Sequence, residues 1–171
     1  MDRMRDLAGV TLSDHVLEPS AGRGRLIARL PRQQQITAIE IDPNRVAHLA
    51  MMPHFREGAM SVSQTNFLNH IGKRPGYFGT FFNAILMAPP RRQNDDLRHV
   101  MAAWDCLAPA GTLVAVVSPG WECPANEAEL LLFRAGLRRF TRVRKTSRKI
   151  PSANPRRRFG RGWAVREPRA Q

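Results

Sequence analysis

The stretch Val16-Leu-Glu-Pro-Ser-Ala-Gly-Arg-Gly24 runs from an apolar segment into a loop that contains two glycines. Such a sequence predicts a buried strand, a tight turn and then a helix over about residues 25–30. Glycines let a ligand approach the backbone closely, and the N-terminus of the helix lies directly behind them. Glu40 ends a second predicted strand, over residues 36–41, where a carboxylate can accept both hydroxyls of a ribose. Together these features predict a nucleoside-containing ligand at the carboxyl ends of the strands.

Working outward from this motif, apolar segments alternate with amphipathic ones. Asp42 and Pro43 predict the start of a helix after the second strand. Further strands are predicted over 60–65, 81–87 and 112–118, further helices around 97–107 and 125–137, and a hairpin between 140–146 and 162–166. Alternating strands and helices predict one α/β domain with a doubly wound, mostly parallel sheet that is covered on both faces.

The first loop lacks one glycine of the dinucleotide-binding pattern, and this limits the class of ligand that it can bind. A dinucleotide-binding loop usually has the pattern G-x-G-x-x-G, but here Gly22 and Gly24 are followed by Arg-Leu-Ile27, so the third glycine is missing. The carboxylate of Glu18 would also repel a pyrophosphate, whereas it suits a ligand with an amine or a cationic group. A nicotinamide-dependent oxidoreductase is therefore disfavoured.

Five segments, taken in order, resemble the motifs of the class I S-adenosylmethionine (SAM)-dependent methyltransferases. The first, Leu17-Glu-Pro-Ser-Ala-Gly22, is similar to the version found in adenine-N6 DNA methyltransferases. The others are Ile36-Thr-Ala-Ile-Glu-Ile-Asp-Pro43, Gln64-Thr-Asn-Phe-Leu68, Ile85-Leu-Met-Ala-Pro-Pro90 and Leu107-Ala-Pro-Ala-Gly-Thr-Leu-Val114. The resemblance extends over roughly residues 7–120 and implies the Rossmann-like fold of that class.

The resemblance also implies roles for residues at the ends of the strands. Glu40 would bind the ribose hydroxyls, and Ile41 would pack on the adenine. Asn66 stands where an aspartate usually bonds the adenine amine, and because Asn offers both a donor and an acceptor, binding can survive the exchange. The cofactor-binding residues implied in this way are Glu18, Pro19, Ser20, Gly22, Gly24, Glu40, Ile41, Asn66 and Phe67. Alternatively, the glycines serve only a tight turn and Glu40 is an ordinary surface acid.

The fourth motif departs from the family. Adenine-N6 enzymes carry Asn, Asp or Ser, then Pro-Pro, then an aromatic residue, whereas this chain has Ala88-Pro89-Pro90-Arg91. The side chain that accepts a hydrogen bond from the target amine is missing, although the Pro89 carbonyl could still accept one and Arg91 could stack on a base. Losing one such hydrogen bond costs on the order of 3 kcal/mol, about a hundredfold in rate.

Two interpretations follow from this departure. The chain is either a slow or differently targeted methyltransferase that acts on a nucleic-acid amine, or an inactive protein of the same fold. The inactive protein would still bind cofactor or nucleic acid, or serve as a partner subunit. Because no separate recognition domain fits this length, a protein partner could supply target recognition.

The C-terminal part of the chain carries the whole charge excess. The protein has 27 Lys and Arg against 14 Asp and Glu, a formal net charge of +13. Residues 134–171 hold 14 of these basic residues and a single acid, Glu167. Clustered arginine and lysine bind phosphates with little sequence preference. The predicted nucleic-acid-binding residues are Arg144, Lys145, Arg148, Lys149, Arg156, Arg157 and Arg158; the alternative is a solvated basic tail.

Length and composition set the remaining limits. A chain of 171 residues is the size of one domain, with residues 1–149 expected to bind the cofactor and residues 150–171 to add a basic loop and the final strand. With neither a transmembrane stretch nor a secretory signal, we expect a cytoplasmic protein without a membrane partner. Cys106 and Cys123 cannot build a zinc site alone, and the five histidines lack metal-ligand spacing, so no metal is expected.

Overall fold

A computed structural model describes residues 2–71, 81–90, 95–117, 142–145 and 161–166. Its strands are β1 (Val16–Glu18), β2 (Ile36–Glu40), β3 (Met60–Gln64), β4 (Phe82–Met87), β5 (Leu107–Val117), β6 (Arg142–Lys145) and β7 (Arg161–Arg166). Its helices are α1 (Asp2–Ala8), α2 (Pro43–Ala50), α3 (Pro53–Arg56), α4 (Phe67–Ile71) and α5 (Asp95–Trp104), with a single 3-10 turn at Ile27–Arg29. Helical segments connect the strands from β1 to β5, as the hydrophobic pattern predicts.

The strands form one sheet in the order β3-β2-β1-β4-β5-β7-β6. β1 pairs in parallel with β2 on one side, where Val16 lies opposite Ile36, and with β4 on the other, where Val16 lies opposite Ala84. The strand order reverses next to β1, and at such a point the loops that follow neighbouring strands separate and leave a crevice. β5 pairs in parallel with β4, whereas β7 is antiparallel to both β5 and β6. The expected doubly wound, mostly parallel α/β sheet is confirmed, and so is the pairing of the last two strands.

Both faces of the strands β1, β4 and β5 are buried, each face within its own hydrophobic cluster. Val16 belongs to one cluster and Leu17, the next residue of β1, to the other, because neighbouring side chains of a strand point to opposite faces. Leu97 and Val100 of α5 pack on the side of Leu17, and Leu49 of α2 packs on the side of Val16. Burial on both sides explains why these central strands appear in the sequence as largely apolar runs.

The segment after the glycine loop differs from the sequence expectation. A helix is predicted over residues 25–30, but only the 3-10 turn Ile27–Arg29 forms there. Leu30 adopts an extended backbone conformation. It precedes Pro31, and the residue before a proline disfavours the helical conformation. The proline therefore ends the helical segment before it completes a full α-helical turn.

Strand β5 begins at Leu107, five residues before its predicted start at 112. Leu107 pairs with Phe82 of β4, and the register shifts before Thr112 pairs with Ala84. Ala110 lies within this shift and has a positive φ of 62°. Residues 109–111 thus form an irregularity inside the strand rather than a separate loop before it. The helix predicted over 125–137 lies outside the described residues.

Candidate functional site

A cavity of about 650 Å³ opens where β1, β2, β3 and β4 end. Its size matches that of sites for small organic ligands, and its position at the carboxyl edge of parallel strands is where such sheets bind them. The lining residues are Pro19, Ser20, Gly22, Ile39, Glu40, Ile41, Arg45, Thr65, Asn66, Phe67, Leu68, Ala88, Pro90, Asp95 and His99. Loops after four different strands therefore converge on one site.

Most of the residues that the motifs single out meet in this cavity. Those in its lining are Pro19, Ser20, Gly22, Glu40, Ile41, Asn66, Phe67, Ala88 and Pro90. Glu18, Gly24 and Pro89 are not part of the lining, and Arg91 lies outside the described residues. Of the predicted nucleic-acid-binding residues, Arg144 and Lys145 belong to β6. The others, Arg148, Lys149, Arg156, Arg157 and Arg158, lie outside the described residues.

The carboxylate of Glu40 joins the glycine loop to the end of β2. Its Oε2 accepts a hydrogen bond from the Gly22 N–H at 2.7 Å, and its Oε1 accepts from the N–H groups of Ile41 and Asp42 at 3.0 and 2.9 Å. The Arg45 guanidinium lies 3.7 Å from Oε1. Glu40 is only 6% exposed, so it is not an ordinary surface acid. Since each carboxylate oxygen can accept about two hydrogen bonds, Oε2 keeps one acceptor position.

Glu18 is a second acid at this edge, and it is buried more completely than Glu40. It is 2% exposed, and its Oε1 has no hydrogen-bond partner. Burial raises the pKa of Glu18 well above its ordinary value; the backbone N–H of Ser20 lowers this pKa, and the negative charge of Glu40 raises it further. An acceptor that is buried without a partner costs free energy.

Gly22 and Gly24 have similar backbone angles but different surroundings. Both lie in the left-handed region, with φ of 58° and 70°. A Cβ on Gly22 would meet no atom within 4 Å, whereas a Cβ on Gly24 would lie 2.5 Å from Met52 Sδ and 2.8 Å from Leu49 Cδ2. Gly24 therefore allows close packing of the loop against the segment from α2 to α3.

Asn66 precedes α4 and caps it. Its Oδ1 accepts a hydrogen bond from the Leu68 N–H at 3.0 Å, and its backbone carbonyl accepts one from the His70 N–H at 2.9 Å. This is the usual arrangement of an Asn at the start of a helix. The side-chain oxygen thereby keeps one acceptor position, and the Nδ2 donors remain for other partners.

Arg45, Asp95 and His99 line the cavity although no motif indicates them. Asp95 and His99 stand four positions apart on α5, a spacing that puts both on one face of a helix. The His99 Nδ1 lies 2.7 Å from the Asp95 carbonyl oxygen, and its ring stacks on Phe67 with centroids 5.7 Å apart. The signal that could have found this pair is its place in the first turns of the helix after β4, which begins at the edge where the loops converge.

Membrane-spanning helices and metal sites are both absent from the described residues. Among them, no helix is long and apolar enough to cross a membrane, and no group of three or more His, Cys, Asp or Glu side chains could hold a metal ion.

The thiol of Cys106 is not activated as a nucleophile. Burial raises the pKa of Cys106 to about 12, with a further contribution from the charge of Asp105. The Cys106 thiol therefore stays protonated near neutral pH and provides no thiolate nucleophile.

Comparison with known proteins identifies the fold. No protein-family model and no curated protein matches the sequence. The structure is similar to an rRNA methylase from Streptococcus thermophilus, with a TM-score of 0.67 and 12% identity over 96% of this chain and 93% of that one. It is also similar to the N-methyltransferase NodS from Bradyrhizobium japonicum, with a TM-score of 0.68 and 16% identity over 97% and 93%. A SAM-dependent O-methyltransferase from Thermotoga maritima has a TM-score of 0.66 and 15% identity over 99% and 65%.

The chain has the fold of these methyltransferases. The Rossmann-like fold implied by the motifs is therefore confirmed. The three names cover rRNA, N- and O-methylation, so the shared fold does not by itself identify the methyl acceptor. The resemblance to adenine-N6 enzymes stays a prediction.

The packing role of Gly24 is tested by Gly24→Ala. We expect this change to lower the free energy of unfolding by about 2–3 kcal/mol, because it adds a clash with Leu49 and Met52 to the strain of the positive φ. Gly58→Ala is the matched control, since Gly58 has a φ of 79° and no atom within 4 Å of its Cβ position. Equal costs in urea unfolding would contradict a packing role for Gly24.

The burial of Glu18 predicts how stability depends on pH. A carboxyl whose pKa is higher in the folded than in the unfolded protein binds its proton more tightly when folded, so stability falls as pH rises above about 4. We expect Glu18→Gln to lack this loss, which amounts to at most about 1.4 kcal/mol per pH unit. Urea unfolding at pH 4 and pH 7 measures it, with the exposed Glu57→Gln as control. An unchanged gap between Glu18→Gln and wild type at the two pH values would contradict the prediction.

Proposed function

We propose that this protein is a SAM-dependent methyltransferase that acts on an amine of a nucleic acid. The observation that carries the proposal is the pair of buried acids, Glu18 and Glu40, beside a cavity at the carboxyl ends of β1 to β4. When bound, SAM would supply an activated methyl group. The residues of the chain must bind the nucleoside and the amino-acid end of SAM and must hold the methyl acceptor.

The donors and acceptors around the cavity suit the chemistry of the cofactor. The remaining acceptor position of Glu40 Oε2 fits a ribose hydroxyl. Glu18 does not line the cavity, but its unpartnered Oε1 is the acceptor that we propose for the ammonium group at the methionine end. Ile41 is 61% exposed although it is apolar, and it lines the cavity, which suits packing against a purine. A pyrophosphate would be repelled by the two carboxylates, which argues again for SAM over a dinucleotide.

The fourth motif suggests how the acceptor would be handled. Ala88 and Pro90 line the cavity, so the degenerate motif lies beside the proposed cofactor site. The methyl side chain of Ala88 cannot accept a hydrogen bond from a target amine. Because this hydrogen bond is lost, we expect either slow methyl transfer or an acceptor that is more nucleophilic than the adenine N6 amine. The second candidate function, a non-catalytic protein that binds the same cofactor, is favoured by this one residue.

Nucleic acid is the proposed acceptor because of charge. The excess of +13 lies entirely in residues 134–171, and an rRNA methylase is among the proteins with the same fold. Charge of this density binds phosphates and leaves the choice of base to the cavity or to a partner protein. We therefore favour RNA or DNA over a small-molecule acceptor.

Calorimetric titration with S-adenosylhomocysteine tests the cofactor site. We expect the wild type to bind it and Glu40→Ala to bind about 10- to 100-fold more weakly, because a hydrogen bond to a charged group is lost. Since Glu40 also holds the glycine loop, thermal unfolding must show that the variant is folded. Glu57→Ala, which removes an exposed acid, is the control. Equal binding by Glu40→Ala and wild type would contradict the assignment.

Transfer of a tritiated methyl group to bulk RNA and DNA separates the two candidate functions. Counts from the wild type support the enzyme, and we expect Ala88→Asn to raise an adenine-directed rate about a hundredfold. Binding of S-adenosylhomocysteine without transfer by the wild type, together with transfer by Ala88→Asn, identifies a protein that has lost activity.

The basic segment is tested by the salt dependence of RNA binding. Replacing Arg156, Arg157 and Arg158 by glutamine leaves β7 intact, and we expect weaker binding and a slope of log K against log salt that is smaller by about 2. Replacing Arg25, Arg32 and Arg56, which are exposed residues of the neutral part, is the control for equal loss of charge. An unchanged slope in the first variant would remove this segment from nucleic-acid binding.

A further inference from the structure

We propose that His99 recognises the adenine of the cofactor, with Nε2 accepting a hydrogen bond from the 6-amino group. The proposal rests on the proposed function, because it concerns the same cavity. His99 would supply an acceptor for that amine in addition to Asn66 of the third motif. No motif in the sequence indicates such a role, and α5 brings the residue to the site.

The side chain of Asn66 has limited capacity as an acceptor. Adenine presents a donor at its 6-amino group and an acceptor at the adjacent N1. Asn66 Oδ1 already accepts a hydrogen bond from the Leu68 N–H at 3.0 Å, which leaves one acceptor position on that oxygen and the Nδ2 donors. When Nδ2 donates to N1, a separate acceptor such as His99 Nε2 can take the amine.

The hydrogen bond at His99 Nδ1 fixes which ring nitrogen can accept. Its partner, the Asp95 carbonyl oxygen at 2.7 Å, can only accept a hydrogen bond, so Nδ1 must carry the hydrogen. In the neutral imidazole the lone pair then lies on Nε2. Because Nδ1 points to the backbone of its own helix, Nε2 lies across the ring and points away from it. No described residue forms a hydrogen bond with Nε2.

The surroundings of the ring place it at the same end of the cavity as Asn66. His99 is 7% exposed, and its ring stacks on Phe67, the residue that follows Asn66. The interplanar angle is 30°, so the aromatic contact holds the ring in one orientation. An acceptor on Nε2 and a donor on Asn66 Nδ2 together match the edge that adenine presents and oppose that of hypoxanthine, which has a carbonyl at C6 and a hydrogen on N1.

Calorimetry with S-adenosylhomocysteine and S-inosylhomocysteine tests the proposal without any need for catalysis. We expect the wild type to prefer the adenine compound at least about tenfold. His99→Phe keeps a ring on Phe67 but lacks both nitrogens, and it should bind the adenine compound about tenfold more weakly without weakening the inosine compound. The preference should therefore fall by about tenfold.

Three further variants complete the test. His99→Asn retains a donor for the Asp95 carbonyl and lacks an atom at the Nε2 position, so it decides the matter if the Phe variant does not fold. Asp95→Asn removes a carboxylate of α5 that also lines the cavity, and it should leave the preference unchanged. The exposed His48→Phe on α2 controls for the loss of a histidine.

The outcomes separate the two proposals. A preference that is unchanged in both His99 variants, or that is lost in Asp95→Asn instead, overturns the role of His99 and leaves the proposed function standing. Failure of the wild type to bind S-adenosylhomocysteine at all overturns the proposed function itself.

Discussion

A single carboxylate holds together the parts of the chain that form the cavity. Glu40 ends β2 and accepts hydrogen bonds from Gly22 in the loop after β1 and from Ile41 and Asp42 before α2. Without it, three backbone N–H groups at partly buried positions would lack this partner. The loop, the strand end and the first turn of α2 are therefore fixed relative to one another.

The second acid has the opposite effect on stability. Glu18 lies buried with one oxygen unpartnered, and its pKa is raised because the ionised form is poorly solvated there. Proteins tolerate such groups mainly where function requires them. A buried acceptor costs stability on its own and contributes binding energy once a ligand donor pairs with it. The site therefore combines Glu40, which accepts three backbone hydrogen bonds and fixes the loop, with Glu18, whose Oε1 has no partner.

The sequence predicted the location of the cavity better than the duties of individual residues. Parallel strands bring the loops that follow them to one edge, so the order of apolar runs was enough to gather Ser20, Glu40 and Asn66. Spacing could not separate Gly22 from Gly24, because both require a positive φ. Only the packed structure shows that one presents its N–H to Glu40 and the other makes room for Leu49.

The sequence alone determined the sheet, the position of the acids and glycines at its carboxyl edge, and the separation of a neutral part from a basic one. These properties follow from local hydrophobic patterns and from charge counts. The tertiary structure decided that α5 brings Asp95 and His99 to the cavity, and that the side-chain oxygen of Asn66 accepts a hydrogen bond from the first turn of α4. These two features depend on how α4 and α5 are rotated and packed against each other. Contacts between segments that are distant in the chain leave no periodic pattern in the sequence of either helix.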